Sequence, residues 1–205
     1  MKKNVVIING SPRSGGNSSY LAKSLATRIT EANGADFQVQ TFSPTTHTFS
    51  PCIGCENCVK TGECVHNDDI NTLAEALEAA DVLIWVTPLY FGTVTAQLKA
   101  IIDRFQLIWS RNVLAGHKKG IPTERSRPVL VLYLAAKDDP FKNQARKGAA
   151  LIPLKYASNT AGFTLKAHHA LIGPESRADL AKSEFSAQLE GAVMFVKSVL
   201  AKEFR

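Results

Sequence analysis

Residues 9–19 read NGSPRSGGNSS and directly follow the apolar run Val5–Ile8. A helical pattern comes next, with apolar residues at helical spacing from Leu21 to Ile29. The stretch therefore lies at a strand-to-helix turn, where backbone N–H groups can converge on an anion. Its glycines allow tight turns, its serines offer hydroxyl donors and Arg13 offers a charged fork. We predict a phosphate-binding loop, and the alternative is a Gly/Ser-rich surface turn.

This loop differs from the motifs that hold a nucleotide for phosphoryl transfer. It matches neither G-x-x-x-x-G-K-[ST] nor G-x-G-x-x-G, and it contains no lysine to reach a terminal phosphate. We therefore expect the phosphate to be held and not transferred.

Strand patterns alternate with helical patterns along the whole chain. Runs at 4–9, 82–86 and 129–134 are continuously apolar, which is typical of parallel strands covered on both faces. Segments 37–42 and 163–171 instead alternate apolar with polar residues, which is typical of edge strands. The pattern predicts an α/β three-layer sandwich with a five-stranded parallel sheet in the order 2-1-3-4-5.

In that order the chain reverses direction between strands one and three, so a ligand should bind between residues 11–19 and 87–93. The second loop begins TPLYFG at Thr87 and offers aromatic surface and backbone amides. A phosphate at one end and a planar ring at the other describe a mononucleotide such as FMN. The alternative is that these aromatic side chains cover the end of the sheet.

All four cysteines lie in a long connection at about 43–67, spaced C-x2-C-x2-C-x5-C: Cys52, Cys55, Cys58 and Cys64. Thiolates this close can face one centre, as an iron–sulfur cluster or a tetrahedral zinc ion requires. A [4Fe-4S] cluster, structural zinc, and metal-free redox thiols or disulfides all remain possible occupants. We expect His66 to be a surface residue.

Composition sets further limits. With 205 residues, 45% of them hydrophobic, the chain is expected to form a single domain over 1–205 that carries the cysteine-rich connection as an insertion. No apolar run approaches the length of a membrane span, and no signal-peptide core follows Met1, so we expect a cytoplasmic protein without a membrane partner. The formal charge of +6 accompanies no nucleic-acid motif, so we expect no nucleic-acid partner.

The segments GSPRSGGNSS and TPLYFGTVTAQLKAIIDR, together with the cysteine run, resemble the flavodoxin-like NADPH-dependent FMN reductase superfamily and specifically its iron–sulfur flavoprotein branch. The resemblance implies FMN and a [4Fe-4S] cluster as cofactors, NAD(P)H as a possible donor, and a homo-oligomer, either a dimer or a tetramer. For the FMN phosphate it implies contacts with Ser11, Arg13, Asn17, Ser18 and Ser19. For the ribityl chain and isoalloxazine it implies contacts with Pro88, Leu89, Tyr90, Phe91 and Gly92. The family often places glycines after strand four, whereas this chain has Ala135-Ala136-Lys137-Asp138.

The function implied by this resemblance is an FMN-dependent oxidoreductase. Its partners would be a small-molecule electron donor and acceptor or a ferredoxin-like protein. Flavin chemistry resides in the cofactor, so we expect no classical acid–base catalytic residue. Two alternatives remain, a non-enzymatic electron carrier of the flavodoxin type and a zinc-stabilised interaction module. Phe105 and Trp109 are candidates for a dimer contact.

Overall fold

The computed structural model describes residues 2–32, 37–122, 126–135, 144–172 and 183–203. The strands are β1 (Lys3–Asn9), β2 (Phe37–Phe42), β3 (Val82–Pro88), β4 (Arg127–Ala135) and β5 (Phe163–Ile172). The helices are α1 (Asn17–Ala32), α2 (Asn57–Thr61), α3 (Ile70–Ala79), α4 (Ala96–Asp103), α5 (Gln106–Leu114), α6 (Gln144–Thr160) and α7 (Ser183–Glu203), with a short 3-10 turn at Lys118–Gly120.

All five strands are parallel and lie in the order β2-β1-β3-β4-β5. Val5 of β1 pairs with Val39 of β2 on one side and with Val82 of β3 on the other. The predicted strand order is therefore confirmed. The loops that follow β1 and β3 leave the same edge of the sheet side by side, which is where parallel α/β sheets bind ligands.

Helices cover both faces of the sheet. Val5 and Ile7 of β1 pack into a core shared with α1 and α7, whereas Val6 and Ile8 pack into a core shared with α3, α4, α5 and α6. Successive side chains of a strand point to opposite faces, so a strand buried on both faces reads as a continuous apolar run. The three-layer sandwich is confirmed.

Strand β5 departs from the predicted strict alternation. Val129 pairs with Leu165 and Leu130 with Ala167, so Lys166 is an extra residue in the ladder. Leu165 consequently packs on the α6 side and Ala167 on the α1 and α7 side. A one-residue bulge shifts every later side chain to the other face.

The helix expected from about Val94 to Trp109 is two helices. Between them the chain tightens, with Arg104 N–H donating to Ile101 C=O and Phe105 N–H donating to Ile102 C=O. Hydrogen bonds from residue i to i−3 are those of a 3-10 turn, and they separate α4 from α5. Phe105 is buried there against Trp85, with ring centroids 5.8 Å apart, so its predicted role in a dimer contact is wrong.

Some expectations lie outside the described residues. They concern the start of the helix expected at 141–156, the loop residues 136–138 and the N-terminal part of the last helix near Leu180. In the described part of the chain, no helix combines the length and the apolar character that crossing a membrane requires.

Candidate functional site: two loops and a cysteine cavity

A buried threonine links the loops that follow β1 and β3. The Thr95 hydroxyl donates to the Gly10 carbonyl at 2.6 Å and accepts from Leu98 N–H at 3.1 Å, so it also caps α4. Thr95 is fully buried, and Gly10 N–H donates to Val86 C=O at 2.8 Å. The sequence reasoning missed Thr95, although a threonine directly before a helical pattern is a recognisable N-cap signal.

Packing against α4 requires a glycine at position 10. A Cβ at this position would lie 2.5 Å from Leu98 Cδ2 and 2.8 Å from Leu98 Cβ. The first turn of α4 therefore lies directly against the start of the phosphate loop.

The Arg13 carbonyl organises the phosphate loop from inside. It accepts hydrogen bonds from Gly16 N–H at 3.0 Å, from the Ser11 hydroxyl at 3.1 Å and from the Ser19 hydroxyl at 2.7 Å. A hydroxyl has only one proton to donate, so in this arrangement the Ser11 and Ser19 hydroxyls stabilise the loop and do not donate to a ligand. Asn17, half-buried, is the first residue of α1.

Several other donors of this loop have no partner among the described residues. Ser18 is 2% exposed as a whole residue, and its hydroxyl makes no hydrogen bond with any described residue. Likewise, no described residue accepts from the backbone N–H groups of Ser14, Gly15, Ser18 or Ser19. The exposed Arg13 guanidinium has no ion pair within the described ranges. Unpaired N–H groups at a helix N-terminus, together with a cation, favour a bound anion such as a phosphate.

The loop after β3 ends in a tight hairpin. Tyr90 and Thr93 exchange backbone hydrogen bonds of 3.0 and 3.1 Å across the turn. The two residues between them have positive φ, 51° for Phe91 and 81° for Gly92, as a type I′ turn requires. Phe91 is wholly exposed, and left-handed backbone is unusual for a bulky residue. The turn thus holds an aromatic side chain in solvent at the ligand-binding edge of the sheet.

Two of the four amides in this loop are already used. Leu89 N–H donates to Leu134 C=O at 3.0 Å and Tyr90 N–H donates within the turn. Those of Phe91 and Gly92 bond to no described residue and are available to a ligand. Pro88, half-buried, is the last residue of β3. The structure therefore brings both sets of predicted FMN contacts to neighbouring loops on one edge of the sheet.

The four cysteines line one cavity of about 480 Å³ between their loop and the start of α5. Cys52 and Cys55 are exposed, and Cys58 and Cys64 are half-buried. Among the described residues, no three metal-binding side chains converge closely enough to hold a single ion. A four-iron cluster bears one thiolate at each corner and therefore needs sulfurs around a volume, which is what a cysteine-lined cavity provides.

His66 also lines this cavity, contrary to the expectation of a surface position. Its Nε2 atom is buried without a hydrogen-bond partner in the described structure. The side chain as a whole is only half-buried.

The sequence reasoning also missed Arg104, whose guanidinium is 2% exposed and faces the 3% exposed Asp68 carboxylate at 2.9 Å. Burial alone would raise the pKa of Asp68. Hydrogen bonds from Arg104 and from the backbone N–H groups of Ser50 and Ile70 outweigh burial and hold that pKa below its ordinary value. Burial likewise opposes the charge on Arg104, but Asp68 and Cys64 raise its pKa. Both groups are therefore ionised beside the cysteine cavity.

Comparisons with known proteins agree on the family of this chain. The family profile of the NADPH-dependent FMN reductases matches residues 3–124. An iron-sulfur flavoprotein of Archaeoglobus fulgidus is 30% identical over 153 residues, covering 73% of this chain and 65% of that protein. An iron-sulfur flavoprotein of Methanocaldococcus jannaschii is 36% identical over 100 residues, covering 49% of this chain and 50% of that protein. The chain thus spans less than two thirds of the length of either relative.

One solved structure with a similar fold is an azoreductase from Bacillus anthracis, with a TM-score of 0.65 and 14% sequence identity. The similarity covers 94% of this chain and 98% of that one. At this level of identity the likeness concerns the fold alone.

Proposed function

The chain belongs to the NADPH-dependent FMN reductase family, and we propose that it is an FMN-dependent oxidoreductase that moves electrons from NAD(P)H to a small-molecule or protein acceptor. One observation carries the proposal. The donors at the start of α1 that could bind an anion have no partner among the described residues, and they lie beside the loop that presents Phe91. This combination matches a ligand with a phosphate at one end and a ring at the other.

The proposed FMN contacts divide by chemistry. Ser18, Arg13 and the backbone amides of Ser14, Gly15, Ser18 and Ser19 hold the phosphate. Ser11 and Ser19 keep the loop in shape through their side-chain bonds to the Arg13 carbonyl. The hairpin at Tyr90–Thr93 covers one side of the ring and offers it two amides. Bound FMN supplies the redox chemistry, and the protein binds and orients it.

For the cysteine cavity we propose a [4Fe-4S] cluster as a second redox centre, held by Cys52, Cys55, Cys58 and Cys64. Two relatives of this chain are named iron-sulfur flavoproteins, and the cavity is lined by all four thiols. Clustered thiols that serve as metal ligands persist in reducing compartments, so we place the protein in the cytoplasm.

We further propose that residues 1–205 form one flavodoxin-like domain with the cysteine segment as an insertion, and that the protein is a dimer or tetramer. Exposed Tyr156 on α6 lines one surface groove together with half-buried Trp109 and offers apolar surface for a subunit contact. Exposed Ile152 lies four residues before it on the same helix. Light scattering of the purified protein measures this, and a monomer at micromolar concentration would contradict it.

An absorption spectrum of anaerobically purified protein, before and after dithionite, tests both cofactors, with iron and sulfide analysis alongside. We expect flavin bands together with a broad iron–sulfur absorption that dithionite bleaches. A colourless, zinc-containing protein would overturn both cofactor proposals. Steady-state NAD(P)H oxidation with quinone or flavin acceptors then tests the activity, and the absence of turnover combined with fast exchange with a ferredoxin would favour an electron carrier.

A matched pair of variants tests the phosphate site. Ser18→Ala removes a hydroxyl that bonds to no described residue, and Ser14→Ala removes the hydroxyl of an exposed residue in the same loop. Losing one hydrogen bond to a charged group costs about 1.5–3 kcal/mol, so we expect Ser18→Ala to weaken FMN binding by roughly 10-fold to 100-fold. Ser14→Ala should leave the affinity unchanged. Equal affinities in both variants would remove Ser18 from the site.

A further inference from the structure

We define the cysteine loop as residues 50–68. Hydrogen bonds join its two ends, and we call this junction the neck of the loop. Thr48 N–H donates to Asp69 Oδ2 at 2.6 Å and Ser50 N–H donates to Asp68 Oδ2 at 2.8 Å. Asp69 N–H returns a bond to Thr48 C=O at 3.1 Å. The residues that precede Cys52 and those that follow Cys64 are therefore tied to each other.

Arg104 lies at the centre of this neck and contacts both of its sides. Its guanidinium donates to the two Asp68 carboxylate oxygens at 2.9 and 3.1 Å and to the Ser50 carbonyl at 2.6 Å. A further N–H donates to Cys64 Sγ at 3.1 Å. A planar fork with five N–H donors can hold a carboxylate bidentately and still reach a carbonyl and a sulfur, which an ammonium group cannot match.

We propose that Arg104 is the positioning residue of the cysteine site: it closes the loop through Asp68 and Ser50, holds the Cys64 sulfur in place, and tunes the redox group bound there. A donor to a ligand sulfur offsets negative charge on that sulfur, so it favours the reduced, more negative state of an iron–sulfur cluster. The tuning part rests on the proposed cluster, whereas the closure of the loop does not.

Arg111 provides a matched control on the neighbouring turns of α5. It also contacts the cysteine loop, donating from Nε to Gly62 C=O at 2.9 Å, and its Nη2 donates to Asn71 Oδ1 of α3 at 3.2 Å. Within the described part of the chain, none of its hydrogen bonds reaches a cysteine sulfur. Arg111→Gln therefore removes one positive charge near the cavity without removing a sulfur donor.

The first measurement uses metal-free, reduced protein and follows trypsin cleavage after Lys60, an exposed residue inside the loop. Cleavage requires local opening, so we expect it to be about tenfold faster in Arg104→Gln than in wild type. Because that variant leaves the buried Asp68 charge without its partner, the double variant Arg104→Gln/Asp68→Asn is measured as well. Far-UV circular dichroism confirms that each variant is folded. Wild-type cleavage rates in both variants would overturn the closure of the loop by Arg104.

The second measurement is a redox titration of the cluster, with the FMN potential of the same sample as an internal reference. We expect Arg104→Gln to weaken the preference of the cluster for its reduced state tenfold. Its reduction potential should therefore fall by about 59 mV for one electron. Arg104→Lys should recover part of this fall, because it keeps the charge but not the fork. Equal shifts in Arg104→Gln and Arg111→Gln would overturn the tuning role, since they would show a general charge effect.

Iron and sulfide analysis of the wild-type protein separates the two parts of the proposal, the closure of the loop and the tuning of the cluster. A protein without iron–sulfur content would overturn the proposed cluster and with it the tuning by Arg104. The proteolysis result would still decide whether Arg104 closes the loop, because that measurement needs no bound metal.

Discussion

Replacing Thr95 by valine should separate the two ligand-binding loops with little change in volume. The hydroxyl caps α4 and supplies the hydrogen bond to the Gly10 carbonyl, which accepts from no other described residue. Losing an N-cap costs about 1 kcal/mol, and leaving a buried carbonyl without a donor costs about 1–3 kcal/mol. We therefore expect the free energy of unfolding to fall by about 2–4 kcal/mol.

The measurement is urea denaturation of the flavin-free protein followed by circular dichroism. A slope of about 2 kcal/mol per molar urea converts the expected loss into a midpoint lower by about 1–2 M. Gly10 lies at the start of the phosphate loop, so FMN should also bind roughly tenfold more weakly, equivalent to about 1.4 kcal/mol.

Two controls make this test specific. Thr95→Ser keeps the hydroxyl and should retain most of the stability. Thr93→Val removes a hydroxyl of a half-buried residue that donates to Ala149 C=O in a solvent-exposed hydrogen bond. This change should cost no more than about 0.5 kcal/mol. The reasoning would be refuted by a Thr95→Val protein whose unfolding free energy lies within about 0.5 kcal/mol of wild type.

Three further substitutions test other parts of the structure. Gly10→Ala should destabilise the protein by about 1–3 kcal/mol, because the new Cβ would lie 2.5 Å from Leu98 Cδ2. In a double-mutant cycle, Leu98→Ala should relieve part of that loss. Additive effects of the two substitutions on the unfolding free energy would contradict the clash. Burial lowers the pKa of His169 below its ordinary 6.5, so its contribution to stability is present above that value and is lost as the pH falls through the folded-state pKa. His169→Phe should therefore flatten the decline in unfolding free energy between about pH 7 and pH 5, and an unchanged decline would assign it to other groups. Phe91→Asn should raise the unfolding free energy by up to roughly 1 kcal/mol, because asparagine adopts left-handed backbone more readily, and should weaken FMN binding; unchanged affinity would exclude Phe91 from the flavin site.

Much of the fold and part of the site could be predicted from the sequence, because the relevant signals are local. The continuous run at Val5–Ile8 indicates a strand buried on both faces, and the loop after it carries the residue types that bind phosphate. The cysteine spacing likewise places four thiols within reach of one another. The family resemblance added FMN, and a [4Fe-4S] cluster as an expectation, where residue types alone leave the cofactors open.

The different roles of the serines in the phosphate loop could not be predicted from local signals. Ser11, Ser18 and Ser19 are equivalent in composition, yet two of them donate to the Arg13 carbonyl and the third has no partner in the described structure. Which hydroxyl remains available depends on the path of the backbone around one carbonyl. The bulge at Lys166 could not be predicted either, because apolar and polar residues continue to alternate in the sequence on both sides of it.

By itself, the sequence of this protein determined its alternating strands and helices, their order in the sheet and the loops that meet at its ligand-binding edge. Periodicity and turn residues act over a few positions, so they can be recognised without knowing what the segment packs against. Only the tertiary structure decided that Arg104 joins Ser50, 54 residues away, and Asp68, 36 residues away, at the neck of the cysteine loop. A buried arginine is placed by partners distant in the chain, because its charge is tolerated only where a carboxylate and further acceptors already surround it.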